Sequence, residues 1–152
     1  MKVMYKKCKD TKANSLYNKL IKRQKMTKKI IATDQAPQAI GSYSQAVYAG
    51  NLLFASGQIA LDPQTGEMVN DSFAIETRRV FNNIQGLATA AGLTLEDIVK
   101  LTVYLTDLND FATLNEIMAE YFTEPYPARA AVQVAALPKA ATVEVDAIFQ
   151  TA

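Results

Sequence analysis

Hydrophobic and polar residues alternate in patterns that divide most of the chain into strands and helices. Two short apolar runs, 46–49 and 52–55, flank Gly50 and Asn51, which both tolerate positive φ. This arrangement predicts a β-hairpin. The segment 62–66, which carries a proline and ends in glycine, predicts a turn, because proline presets φ and glycine closes the bend.

Two longer stretches show apolar residues at the three-to-four spacing of an amphipathic helix. The first begins near Asp71 and stops at Gly92, and the second is ended by Pro125 and Pro127. The first stripe consists of Phe73, Val80, Phe81, Ile84, Leu87, Ala88 and Ala91, and the second of Leu108, Phe111, Leu114, Ile117, Met118, Tyr121 and Phe122. We interpret both stripes as core-packing faces.

Three further segments, 98–105, 129–134 and 142–149, alternate with the period of two that is typical of half-buried strands. In the first, the predicted buried face is Val99, Leu101, Val103 and Leu105. We expect the last two to pair antiparallel with their apolar faces matched, for instance Val132 opposite Val145. Arg129 and Glu144 then share the face turned away from the helices.

The predicted order is therefore hairpin, helix, strand, helix, strand, strand, which indicates an α+β fold. Two helices can cover only one face of such a sheet. The other face carries mixed polar and apolar residues, and we expect it to be wet or buried against another chain. An oligomer is the favoured interpretation.

The composition adds limits to this outline. A chain of 152 residues with 49% hydrophobic content and net charge +1 fits one soluble globular domain. No apolar run has the length of a membrane span, and the first thirty residues lack the apolar region of a secretory signal. We therefore predict a cytoplasmic protein with no membrane association.

The charge is divided unevenly along the chain. Residues 1–25 carry net +8, whereas residues 26–152 carry net −7, and Met26 has the context of a natural start. We predict that residues 1–25 are a basic leader, vector-derived or disordered, and that 26–152 form a single domain. The alternative for the leader is a Lys-rich targeting or nucleic-acid-binding tail. The net negative charge of residues 26–152 opposes nucleic-acid binding by that part of the chain.

The absence of histidine and the presence of a single cysteine restrict the possible chemistry. The chain has no histidine, and its only cysteine, Cys8, lies in the leader. Ser/His and Cys/His nucleophile pairs and common zinc sites are thereby excluded. No metal-ligand spacing, phosphate-binding loop or dinucleotide-binding glycine motif is present. Carboxylate, tyrosine, lysine and water remain for acid–base work, with no metal and no cofactor.

Arg129 and Glu144 are the strongest catalytic candidates. A guanidinium can bind a substrate carboxylate through two parallel hydrogen bonds, and a carboxylate can orient or deprotonate water. For each of them taken alone, a solvated or ion-paired surface residue is the simpler interpretation. In the predicted register they lie roughly 13 Å apart along the strands. A neighbouring subunit would then be needed to complete the site.

Other candidates are weaker when taken alone. Gly57, after Ser56, permits close approach of a ligand to the backbone, although a glycine between strand and turn is the simpler interpretation. Tyr43 either closes over a pocket or packs. Asn109 is interpreted by default as the N-cap of the second helix.

Four stretches of the sequence resemble the RidA-type reactive intermediate deaminases of the YjgF superfamily, the 2-iminobutanoate/2-iminopropanoate deaminases. They are APQAIGSYSQAV at 36–47, LLFASGQIALDPQTGE at 52–67, VYLTDLNDFATLNE at 103–116 and YPARAAVQVAALPKAATVEVDAI at 126–148. With the linking helix they extend over nearly all of residues 27–150. The resemblance implies a chorismate-mutase-like fold, in which two helices pack on one face of a mixed, mainly antiparallel sheet. It also implies a homotrimer with a barrel-like core and substrate sites in the clefts between subunits.

The resemblance also implies roles for individual residues. Arg129 takes the position of the family's carboxylate-binding arginine and Glu144 that of its water-orienting glutamate. The substrate-binding positions correspond to Tyr43, Ser56, Gly57 and Asn109, together with the backbone of Ala131. Many members carry a cysteine where this chain has Ala131, so we expect an altered pocket shape or substrate preference.

The implied activity is hydrolysis of 2-imino acids, or their enamine tautomers, to 2-oxo acids and ammonia. Arg129 would hold the substrate carboxylate while a water positioned by Glu144 attacks C2. Two alternatives remain open. One is a trimeric small-molecule-binding or regulatory protein without turnover, since a fold does not determine a function. The other is a ribonuclease or translation inhibitor, which the net charge of −7 on residues 26–152 disfavours.

Overall fold

The computed structural model describes residues 28–151, and the predicted leader and Cys8 lie outside this range. The helices are α1 (Phe73–Ala90) and α2 (Phe111–Tyr121), and the strands are β1 (Ile30–Ile31), β2 (Ala46–Ala49), β3 (Leu52–Gln58), β4 (Ile98–Leu105), β5 (Ala128–Gln133) and β6 (Val143–Gln150). Short 3-10 turns occupy Leu95–Asp97, Leu108–Asp110 and Pro138–Ala140. No helix in the described range is long and apolar enough to cross a membrane.

The six strands form one mixed sheet in the order β1-β2-β3-β6-β4-β5. Every neighbouring pair is antiparallel except β4 and β5, which are parallel and connected through α2. A parallel pair needs such a crossover, because a tight turn cannot join strands that run in the same direction. The predicted α+β class with a mainly antiparallel sheet is confirmed.

One face of the sheet packs against the two helices and forms the core. Alternate residues of the central strands point towards α1, and Val143, Val145, Ala147 and Phe149 of β6 are at most 1% exposed. From α1, Phe81, Ile84 and Leu87 fill the space above them. The opposite face carries Phe54 and Val132, which are 41% and 43% exposed, among polar side chains. We refer to this second surface as the open face.

The two predicted turns and the predicted end of the first helix are confirmed, and the structure adds a cap at the start of that helix. Gly50, in the turn between β2 and β3, has φ +62°, and Gly66 closes the predicted turn with φ +71°. Ser72 caps α1 by accepting a hydrogen bond from the Ile75 backbone N–H. After α1, Gly92 has φ +73° and ends the helix, as expected for a glycine in the left-handed region.

The predicted antiparallel pairing of the last two strands is wrong. β5 pairs only with β4, and β6 lies between β3 and β4. The predicted apolar face of β5 is reversed as well, since Ala131 packs towards the core while Val132 lies on the open face. The strand with the strongest apolar alternation occupies the centre of the sheet, and the alanine-rich strand lies at its edge.

Two smaller differences concern the outer parts of the sheet. The two-residue strand β1 was not predicted. Val99, predicted to be buried, is 39% exposed, whereas Ile98 is buried. A register shift between Ile98 and Lys100 interrupts the alternation there. The bulge turns Val99 off the core face, and regular alternation resumes at Leu101.

Candidate active site

The end of β3 meets β6 at a β-bulge that places Gly57 against Glu144. Ala55 pairs with Ala147 and Gln58 with Val145, so β3 has one extra residue in this interval. A Cβ at position 57 would overlap Oε1 of Glu144 and lie 2.9 Å from its Cδ. Gly57 is therefore required for space, because the carboxyl group occupies the volume that a side chain would need.

Glu144 lies on the open face in an acidic and partly desolvated environment. Burial, and in addition the negative charge of Asp146, raises the pKa of Glu144 above the ordinary glutamate value. Asp146 accepts a hydrogen bond of 3.1 Å from the hydroxyl of Tyr104, which lies opposite Glu144 on β4. A carboxylate with a raised pKa is a stronger base for removing a proton from water.

A cavity of about 300 Å³ opens beside this carboxylate. Glu144 lines it together with Tyr43, Ser56 and Gly57, so four of the predicted site residues meet in one place. The Ser56 hydroxyl donates to the Ser44 carbonyl at 2.7 Å, and the Tyr43 hydroxyl accepts from the Ile40 N–H at 3.3 Å. These bonds hold the loop before β2 over the cavity.

Arg129 lies on β5 and is oriented by side chains of α2. Its Nη1 donates to Oδ1 of Asn115 at 2.8 Å and contacts the sulfur of Met118 at 2.9 Å. The guanidinium also stacks over the Phe111 ring at 5.1 Å from the centroid. A second cavity of about 370 Å³ is lined by Arg129, Asn115, Met118, Ala119, Phe122, Tyr126 and Pro127.

The prediction that Arg129 and Glu144 share a face is wrong. Arg129 pairs with Leu101, which is buried under the helices, whereas Glu144 pairs with Tyr104 on the open face. Paired residues of neighbouring strands point to the same side of a sheet, so the two side chains leave the sheet in opposite directions. Within one chain they line separate cavities with no lining residue in common.

The interpretation of Asn109 as a helix cap is wrong. The N-cap of α2 is Asp110, and Asn109 lies within the preceding 3-10 turn, where its backbone N–H donates to Oδ1 of Asp107 at 2.9 Å. Ala131 is half-buried on the helix side of β5, two residues after Arg129. Neither residue is among those lining the two cavities described above.

The sequence reasoning missed the residues that orient Arg129. Phe111, Asn115 and Met118 contact its guanidinium and are spaced at four and three positions along α2. Such spacing places them on one helix face. That periodicity was visible in the sequence, but the face could be matched with Arg129 only once β5 was known to follow β4 in parallel.

Comparison with known proteins identifies the family of the chain. The family model described as "Endoribonuclease L-PSP" matches residues 33–150. The human 2-iminobutanoate/2-iminopropanoate deaminase is 45% identical over 123 residues, which are 81% of this chain and 90% of the human protein. The chain belongs to this family, that of the RidA-type proteins of the YjgF superfamily.

Solved structures show the same fold. The RidA structure from the Antarctic bacterium Psychrobacter has a TM-score of 0.78 at 52% identity, covering 80% of this chain and 98% of the other. Escherichia coli TdcF, solved with bound serine, has a TM-score of 0.77 at 46% identity, covering 82% and 99%. The chain thus shares its fold with both proteins, one of which was solved with a small molecule bound.

Proposed function

We propose that this protein hydrolyses 2-imino acids, or their enamine tautomers, to 2-oxo acids and ammonia. The observation that carries the proposal is the Glu144 carboxyl group, which faces a cavity against Gly57 and has a raised pKa. Membership of a family with relatives named as imino-acid deaminases supports the choice of substrate. No cofactor is required for the chemistry described below.

The proposed reaction is addition of water to a carbon–nitrogen double bond followed by loss of ammonia. Glu144 accepts a proton from water as the oxygen attacks C2 of the imine. The proton passes to the nitrogen and gives a carbinolamine. The hydroxyl proton of this tetrahedral intermediate is then transferred by way of Glu144 to the amino group, the carbon–nitrogen bond breaks, and ammonia leaves as the C2 carbonyl forms. The sum is imino acid plus water giving oxo acid plus ammonia, with no oxidation or reduction.

Arg129 is assigned to the substrate carboxylate. Its guanidinium is planar and fixed by Asn115 and Phe111, so it can offer two parallel N–H donors with little further loss of side-chain freedom. The serine bound to TdcF also carries a carboxylate next to the carbon that bears nitrogen. Ala131 and Asn109 are assigned to the Arg129 side of the substrate, and Tyr43, Ser56 and Gly57 to the Glu144 side.

The opposite directions of Arg129 and Glu144 mean that one chain cannot provide both groups to one small substrate. We therefore assign the complete site to the contact between two copies in a homotrimer, with Glu144 from one copy and Arg129 from its neighbour. The open face supports this arrangement, because Phe54 and Val132 expose apolar surface there. Light scattering is expected to give three times the chain mass.

The test is an imine-trapping assay. An amino-acid oxidase generates 2-iminopropanoate or 2-iminobutanoate, and semicarbazide captures whatever imine survives. The intact protein is expected to suppress capture, and Arg129→Ala is expected to lose at least about a hundredfold in kcat/KM because the carboxylate is no longer held in place. Arg78→Ala is the matched control, since Arg78 pairs with Glu120 on the helix surface.

Equal capture with the intact protein and with no protein would contradict the proposal. If the intact protein instead binds the 2-oxo acid without accelerating imine loss, the chain is a binding or regulatory protein that uses the same cavities. The net charge of −7 on residues 26–152 opposes the alternative of a nuclease, because nucleic-acid phosphates are bound by positive surfaces.

A further inference from the structure

Glu76 is a buried acidic residue that no step of the proposed reaction uses. It lies in the first turn of α1 and is 1% exposed. Its Oε1 accepts the backbone N–H of Thr142 at 2.7 Å, and its Oε2 accepts the Thr142 hydroxyl at 2.6 Å. It belongs to neither of the two ion pairs found among residues 28–151. Both oxygens of a buried side chain are thus directed at one residue.

The surroundings explain how this acidic group is tolerated in the interior. A carboxyl group in the first turn of a helix interacts favourably with the positive end of the helix dipole, and its two hydrogen bonds replace those to water. Its charge also acts on the start of α2, because burial, followed by the charges of Asp107 and Glu76, raises the pKa of Asp110. Glu76 therefore lies where α1, α2 and β6 all begin.

Three polar groups of Thr142 form hydrogen bonds. Its N–H and hydroxyl bond to Glu76, and its carbonyl accepts the Thr106 N–H at 3.1 Å. Thr142 directly precedes β6, and Glu144 follows only two residues later. The position of Thr142 thus sets where β6 starts relative to α1 and β4.

The segment before Thr142 has a demanding backbone geometry. Lys139 and Ala140 have φ of +55° and +56°, in the left-handed region that residues other than glycine rarely adopt. Pro138 in the same turn lines the cavity that contains Glu144. The hydrogen bonds between Glu76 and Thr142 fix the chain where it leaves this turn. They therefore restrain both Pro138 in the cavity wall and the strand that carries Glu144.

We propose that Glu76 is a positioning residue for Glu144, acting through Thr142 and the left-handed turn at Pro138–Ala140. This inference rests on the proposed imine hydrolysis and assigns that reaction a residue outside both cavities. Glu76 itself touches no substrate. Its contribution is to keep the Glu144 carboxyl group against Gly57, where water can be activated.

Two substitutions at position 76 separate positioning from simple filling of space. Glu76→Gln keeps both contacts, because its amide oxygen accepts the Thr142 N–H while its NH₂ donates to the Thr142 hydroxyl oxygen. Glu76→Ala loses both. We expect Glu76→Ala to lower kcat by on the order of 10- to 100-fold with KM changed by less than about threefold, since Arg129 is unaffected. Glu76→Gln is expected to restore kcat to within about threefold of the original.

Two further substitutions are controls for this experiment, one at Thr142 and one at an exposed glutamate. Thr142→Val removes the hydroxyl and keeps the N–H, and it is expected to lower kcat less than Glu76→Ala does. Glu120→Ala removes an exposed glutamate on α2 and is expected to leave kcat unchanged. If folded Glu76→Ala keeps the original kcat, or if Glu76→Gln loses as much as Glu76→Ala, the inference is overturned.

An NMR measurement tests the same inference without turnover. In Glu76→Ala the Thr142 amide is expected to exchange with solvent at least about tenfold faster, because its acceptor is gone. The Glu144 Cδ resonance is expected to move in Glu76→Ala and to stay in place in Glu76→Gln. An unmoved Glu144 resonance in Glu76→Ala overturns the inference, whereas absent turnover in the unsubstituted protein contradicts only the proposed function.

Discussion

The two proposed catalytic residues are held by different parts of the fold. Glu144 lies on β6, which has hydrogen-bonded neighbours on both sides, and its carboxyl group fills a space that Gly57 leaves open. Arg129 lies on the edge strand β5, which has one neighbour, and side chains of α2 orient it. The base is positioned mainly by backbone, and the carboxylate-binding group mainly by side chains.

This difference indicates where the family fold can vary. A change near Glu144 must be accommodated by the central strands, which are closely packed. A change near Arg129 meets an edge strand and a half-exposed helix face, where side chains can adjust. Ala131, which lies on the same strand two residues after Arg129, belongs to this second and more adaptable region. We expect substrate preference to differ among relatives chiefly through the Arg129 side.

Among substitutions that displace a catalytic group without removing it, the largest expected effect comes from Gly57→Ala. The new Cβ would overlap the Glu144 carboxyl group, so the base must shift away from position 57. We expect kcat to fall by on the order of a hundredfold, because a displacement of about 1 Å is enough for such a loss. Steady-state kinetics with 2-iminopropanoate measures it.

The control for this substitution is Gly86→Ala. A Cβ there would overlap the backbone carbonyl of Gln35, so it introduces a comparable clash away from Glu144. It is expected to lower Tm, as overpacking does, with a smaller loss in kcat than Gly57→Ala. A folded Gly57→Ala protein with the original kcat would show that the contact with Glu144 is not needed for turnover.

An intermediate effect is expected on the Arg129 side. Asn115→Ala removes the side chain that accepts a hydrogen bond from Arg129, so KM is expected to rise by about tenfold, the cost of one hydrogen bond to a charged group. Asn109→Ala, in the adjoining turn, is the matched comparison and is expected to change KM by less. A larger rise in KM for Asn109→Ala would reverse the assignment of these two asparagines.

The smallest effect concerns pH. The reaction needs ionised Glu144, so kcat/KM is expected to fall as pH drops through the raised pKa of this residue. Asp146→Asn removes a like charge and is expected to move this acid limb to lower pH, by less than about one unit. Tyr104, bonded to Asp146, stays neutral throughout. A limb that moves to higher pH in Asp146→Asn would contradict this electrostatic account.

The same pKa shift has a consequence for stability. Because the folded protein disfavours ionised Glu144, this residue opposes folding increasingly as pH rises from the ordinary glutamate range through the raised pKa. The ionised form of Glu144 is thus the one that the reaction needs and the one that lowers the stability of the folded protein.

Local features of the fold could be predicted from the sequence, because each depends on nearby residues. Gly50 and Gly92 fix a hairpin turn and a helix end through their own backbone conformations. The resemblance to RidA-type proteins also selected Tyr43, Ser56, Gly57 and Glu144, which line one cavity. The bulge at Ser56 and Gly57 could not be predicted, since it depends on pairing with β6.

The order of strands could not be predicted from alternation alone. Apolar alternation predicts which face of a strand is buried, but it does not predict which strand lies beside it. In β5 even the buried face was ambiguous, because Ala128, Ala130 and Ala131 fit either side. The pairing of Val132 with Val145 therefore satisfies the apolar alternation of both strands, but it places Arg129 on the wrong face of the sheet.

We propose above all that each site combines Glu144 of one copy with Arg129 of another. Mixed assemblies of Arg129→Ala and Glu144→Gln chains test it most directly, since neither variant alone contains an intact pair. If the two inactive variants are unfolded together in equal amounts and refolded, roughly a quarter of the sites in a cyclic trimer receive both native groups. Recovery of about that fraction of the original activity is the predicted result, and a mixture as inactive as either variant alone would contradict the account.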